Sequence, residues 1–146
     1  MAYAQQLKDA GRPIPAHKLL LESLSIYESN QDLSGLGSVY LALGNLYKSN
    51  SYQSNADIFK KWNEYKSYKD SASYFELSAE SFLKVGDFLM AGMAKTEAGD
   101  AYSLANELTS QCSAYTEAEE LNKKVTSNTD LLSKRIQAFR NSIRCN

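Results

Sequence analysis

The chain is poor in the residues that break helices, with two prolines and seven glycines among its 146 residues. An all-β design needs a turn signal roughly every ten residues, and these breakers are too few to supply them. Histidine occurs once, at His17, and no cysteine or carboxylate stands at ligand spacing from it, so a zinc site is not expected. No apolar run approaches the ~18 residues of a membrane span. The opening stretch, residues 1–11, lacks the basic-then-apolar order of a secretory signal. Net charge is scarce too, since 16 basic and 17 acidic side chains leave −1. Binding a phosphate backbone needs a net or locally basic face, which excludes nucleic acid from the expected partners.

The motifs of catalysis are also missing. There is no phosphate loop, nucleophile elbow or dinucleotide fingerprint. Glu117, Glu119 and Glu120 form a short acidic patch, and Glu97 and Asp100 share a helix face. Acid–base work needs two such groups converging in a pocket with separated pKa values, and these read as solvated faces. His17 reads as surface or core packing. The expectation is a soluble protein that is not an enzyme, with no cofactor and no metal.

What is present points to helices. The apolar fraction of 43% and the charged fraction of 23% are ordinary for one globular domain with a sizeable core. Ten tyrosines stand against one tryptophan. A tyrosine fills the space between two helices while its hydroxyl reaches a polar edge. Residues 16–48 overlay 71–103 at an offset of 55, which puts Asp32 on Asp87, Gly37 on Gly92, Gly44 on Gly99 and Tyr47 on Tyr102. Each copy reads as two helices and a tight turn. Asp32 and Asp87 stand where a helix begins, and an aspartate there caps free backbone N–H groups. Leu36, Val39, Tyr40, Leu43 and Tyr47 recur at three- and four-residue spacing, the pattern of one buried helical face. Gly44 and Gly99 lie inside helices, where another helix must come close for glycine to be tolerated.

These residues carry a resemblance. Tyr40-x-x-Leu43-Gly44-x-x-Tyr47 resembles the aromatic-x-x-Leu-Gly-x-x-Tyr signature of the tetratricopeptide repeat family. The second copy keeps Ala98-Gly99-x-x-Tyr102, with Lys95 in the aromatic position. The family's second-helix pattern, small-x3-large-x2-small, occurs as Ala16, Leu20 and Ser23 and as Ser71, Phe75 and Ser78. A third version is Gln111, Tyr115 and Ala118, without the opening small residue. The resemblance covers most of the chain. It implies an all-α fold, a right-handed superhelical array of antiparallel helix hairpins with about seven helices. The expected organisation is a single domain over 1–146. It divides into a partial repeat 3–31, a repeat 32–86, a repeat 87–126 and a C-terminal capping helix 129–144. The chain then opens partway through a first helix, as a piece of a longer array or as the remainder after a preceding segment is removed.

The distance from Gly44 to Gly99 exceeds a 40-residue step by fifteen, which marks an insertion at about 50–68. Ala56, Phe59, Trp62 and Tyr65 recur there every third residue. They predict a short extra helix near 54–67 leading into a repeat helix near 69–85. A single helix over 54–85 is the competing reading, disfavoured because it would overrun its neighbours. At the end of the chain, helices near 107–126 and 130–144 are expected, the first after a left-handed turn at Asn106. Leu132, Ile136, Phe139 and Ile143 form the apolar stripe of the second, with Lys134, Arg135, Arg140 and Arg144 on its outer face. If the two pair as a hairpin, Cys112 and Cys145 come level at its open end. A disulfide there would imply an oxidising compartment, periplasmic or secreted; two unrelated thiols would leave the cytoplasm open.

By resemblance, the first helix of each hairpin lines a concave binding face. Ser38, Leu41, Asn45 and Lys48 would line it in the first copy, and Met93, Thr96, Asp100 and Ser103 in the second. Asn45 matches the clamp with which some family members grip a C-terminal carboxylate. Leu41 and Thr96 stand where its basic or polar residues belong, so a mixed apolar and hydroxyl groove is expected. The leading expectation is a protein- or peptide-binding module, a scaffold or adaptor. The alternative is a self-associating structural domain of a larger or exported protein, a homo-oligomer touching its copies through Phe59, Trp62 and Tyr65 of the insertion.

Overall fold

The computed structural model describes residues 2–125 together with Lys134, Ile136, Gln137 and Cys145, and every regular element among them is helical. The helices are α1 (Ala2–Asp9), α2 (Pro13–Ser29), α3 (Leu33–Lys48), α4 (Asn50–Gln53), α5 (Ala56–Lys61), α6 (Tyr68–Lys84), α7 (Phe88–Leu104) and α8 (Leu108–Lys123). The long helices pack in chain order: α1 on α2, α2 on α3, α3 on α6, α6 on α7 and α7 on α8. Lys134, Ile136 and Gln137 are helical; the rest of the expected 129–144 helix and its apolar and basic stripes lie outside the described residues.

Local chemistry sets the helix ends. Two prolines open α2, where their fixed φ suits a first turn and their missing N–H is not needed. The Asp32 carboxylate accepts from the Gly35 N–H at 2.9 Å, and the Asp87 carboxylate from the Met90 N–H at 3.1 Å. Both aspartates are therefore the N-caps of α3 and α7. Left-handed backbone at Gln31 (φ 53°), Gly86 (φ 75°) and Asn106 (φ 60°) turns the chain between long helices.

The insertion departs from the one short helix expected near 54–67. It holds two short helices, α4 and α5, followed by a stretch from Glu64 to Ser67 without regular structure. Asn63 is left-handed (φ 57°) and stops α5. Ser67 starts α6 with a capping box: its Oγ accepts from the Asp70 N–H at 3.2 Å while Asp70 Oδ2 accepts from the Ser67 N–H at 2.8 Å. A continuous helix over 54–85 is therefore not formed. The count among the described residues is eight helices, rather than about seven for the whole chain.

Between the long helices, the two repeat signatures meet. The ring of Phe75 lies over Gly44, and the ring of Tyr115 over Gly99. Each signature glycine of a first helix is thus the seat of the large residue of a second-helix pattern. Small residues bring the backbones close enough for side chains to reach the opposite helix. Ser71 Oγ donates to the Gly44 carbonyl at 2.7 Å and Ser78 Oγ to the Gly37 carbonyl at 2.7 Å. Each hydroxyl is buried and satisfied, as burial requires.

Candidate functional site

Helices α1, α3 and α7 contribute to two depressions. Ser38, Leu41 and Asn45 line a depression of about 290 Å³ together with Ala2 and Gln5 of α1 and Ala42. Lys48, Asp100 and Ser103 line another of about 390 Å³ with Leu104 and Tyr115. Six of the eight residues expected on the concave face therefore stand in two depressions joined by α3. Met93 is exposed but lines neither. Thr96 is fully buried, its hydroxyl donating to the Gly92 carbonyl at 2.9 Å, so it offers nothing to a partner.

The charges around these depressions are tied to neighbouring helices. Lys48 on α3 pairs with Glu97 on α7, and its ammonium also stands 5.4 Å from the centre of the Phe75 ring. Tyr115 Oη donates to Asp100 Oδ1 at 2.7 Å. Deeper between the helices, Lys95 reaches Glu76 on α6 and Glu117 on α8, the latter at 2.6 Å. Burial alone would lower the Lys95 pKa, but hydrogen bonds to Glu117 and Glu76 outweigh it and the net shift is upward. The position where the family signature has an aromatic thus carries a cation shared by two helices. Lys95 in the aromatic position of the second copy was its one mark in the sequence.

The insertion folds back over α2 and α3. Tyr52 and Phe59 are fully buried and stacked at 4.3 Å between ring centres, in one core with Ala16, Leu20, Leu43 and Tyr47. The Tyr52 hydroxyl accepts from the Lys66 N–H at 2.8 Å and donates to the Glu64 carbonyl. Its pKa is pushed up to about 12, chiefly by burial. Tyr65 Oη donates to Gln53 Oε1 at 2.8 Å, and Gln53 Nε2 donates to the Tyr47 carbonyl at 2.7 Å. Of the three aromatics expected to contact another copy, Phe59 is core, Tyr65 is half-buried in this hydrogen-bond network and Trp62 alone is half exposed.

His17 is buried among these rings, edge-on to Phe59 at 5.4 Å and to Tyr47 at 5.7 Å. Its Nε2 lies 3.1 Å from Tyr47 Oη, and its Nδ1 lies 3.9 Å from Glu64 Oε2. Burial lowers its pKa; Glu64 opposes that shift and Lys66 adds to it. The spacing of His17 and Glu64 along the chain carried no hint that they meet.

Cys112 and Cys145 are joined in a disulfide, across a sequence separation of 33. Close by, Ile136 packs in one buried cluster with Tyr115 and Ala118 of α8. Among the described residues, no helix is long and apolar enough to cross a membrane. No family model matches the chain, and neither a curated protein nor a solved structure matches it.

Proposed function

We propose that the chain is a tetratricopeptide-like interaction module, a non-catalytic scaffold that holds a protein or peptide along the face of α1, α3 and α7. The observation that carries this reading is a pair of depressions that both draw on α3, one lined by Ser38, Leu41 and Asn45 and the other by Lys48, Asp100 and Ser103. Their linings mix hydroxyl, amide and apolar groups, as contact with a peptide backbone and small side chains requires. Lys48 is already paired with Glu97, so it is a poor clamp for a free carboxylate. The bound segment is internal to its partner rather than a C-terminus.

The test is selection of peptides from a random library on the purified protein. Selected peptides should bind Asn45→Arg and Ser103→Arg variants at least about tenfold more weakly. Both side chains are accessible, so thermal melts of the variants should match the wild type. Peptides that ignore both substitutions, or a library that yields none, would remove the face from consideration.

A further inference from the structure

A third depression, of about 290 Å³, lies away from that face, between α2 and the insertion. Its walls are apolar: Ile14 and Leu21 from α2 and Trp62 at the end of α5, with Phe59 beneath. Ile14, Leu21 and Trp62 are each more than a third exposed, so the apolar surface is open to a ligand. Three polar groups complete the lining, namely Lys18, Glu64 and His17. Among the described residues Lys18 forms no ion pair, and the Glu64 carboxylate meets only the His17 ring. Two opposite charges therefore face one apolar pocket without neutralising each other.

We propose that this pocket binds a small zwitterion with an apolar side chain, an aliphatic α-amino acid. The ammonium sits between Glu64 Oε2 and His17 Nδ1, whose 3.9 Å separation leaves room for one donor at about 2.9 Å from each. In the tautomer whose Nε2–H donates to Tyr47 Oη, Nδ1 is left as an acceptor for that ammonium. The carboxylate pairs with Lys18, and the side chain lies against Ile14, Leu21 and Trp62. A simple amine would meet Lys18 as a like charge, and a simple carboxylic acid would meet Glu64. Only a ligand with both charges answers both residues. The volume lies just below the ~300–1,000 Å³ range of ligand pockets, which suits a ligand smaller than most. This inference stands on residues separate from the peptide-binding face.

Trp62 is the one tryptophan in the chain and is 50% exposed on the pocket rim, so its fluorescence reports occupancy directly. Titration with L-leucine should give a saturable blue shift. L-leucinamide, which lacks the carboxylate, and 4-methylpentanoate, which lacks the ammonium, should bind at least about fivefold more weakly. Lys18→Ala and Glu64→Gln should each weaken L-leucine by about the same factor, with unchanged thermal melts. No saturable response to L-leucine or L-methionine up to about 20 mM overturns the proposal. So does an equal response to all three leucine-like probes, or indifference to both substitutions. A Trp62 shift that follows protein concentration without added amino acid, with dimers in sedimentation, makes the patch a contact between copies and also overturns it.

Discussion

The ring of Tyr115 occupies the space over the α carbon of Gly99, so that a Cβ built on Gly99 would lie 2.2 Å from Tyr115 Cε1. Gly92, two turns earlier on the same helix, has no such neighbour, and a Cβ there would meet Leu121 Cβ at an ordinary 3.7 Å. The two glycines look alike in sequence and differ in what faces them.

Alanine at the two positions should therefore act in opposite directions. Gly99→Ala should destabilise by about 1–3 kcal/mol, because overpacking against a buried ring outweighs the gain in helix propensity. Gly92→Ala should stabilise by about 0.5–1 kcal/mol, since propensity acts there almost alone. Urea denaturation of both variants decides the matter; equal effects of one sign would mean that α8 does not press on α7 as described.

Lys95 ties three helices, and its side chain is 12% exposed while those of Glu76 and Glu117 are 30% and 52% exposed. Lys95→Ala leaves two carboxylates without their shared cation. The cost should be about 1–3 kcal/mol, below the usual figure for a broken buried pair because Glu117 can turn to water. A double-mutant cycle with Glu76→Gln should show coupling between the two positions. Strict additivity in that cycle would count against the shared ion pair.

His17 makes stability depend on pH. Its folded pKa lies below the ordinary value of 6.5, so the unfolded chain takes up the proton first as pH falls. The contribution is complete above about pH 6.5 and is lost as pH drops through the folded value. The difference in Tm between wild type and His17→Gln should narrow from about pH 7.5 to about pH 5. A difference that stays constant over that window would place His17 in an environment where folding leaves its titration unchanged.

The Cys112–Cys145 bridge closes a loop with a sequence separation of 33, for which chain entropy predicts a stabilisation of about 3–4 kcal/mol. Intact mass under non-reducing conditions should fall below that of the dithiol by two hydrogens. Denaturation of the Cys112→Ser, Cys145→Ser double variant should register the loss in stability. Two titratable thiols in air-oxidised protein would contradict the bridge.

What could be read from the chain alone follows the range of the interactions concerned. The caps at Asp32 and Asp87 act over three residues, and the left-handed turn at Asn106 over one, so their positions are written locally. The all-helical class rests on periodicity summed over whole helices, which is also local information. The bridge between Cys112 and Cys145 could be anticipated from equal rise along two paired helices, but only the fold joined them.

The insertion marks where local reading stops. Phe59, Trp62 and Tyr65 share a three-residue spacing, yet one is core, one faces solvent and one is held by Gln53. The Ser67-x-x-Asp70 capping box that starts α6 acts over three residues and is local as well. The packing of Phe59 on His17 depends on residues far apart in the chain. The same holds for Lys95 between Glu76 and Glu117, and for the pocket that sets Lys18 against Glu64. By itself the sequence determined the long helices, the caps at Asp32 and Asp87 and the turn at Asn106, because those free energies are decided within a few residues. The tertiary structure alone decided which face is open, which charges are shared and what surrounds His17, because these depend on helices brought together from separate parts of the chain.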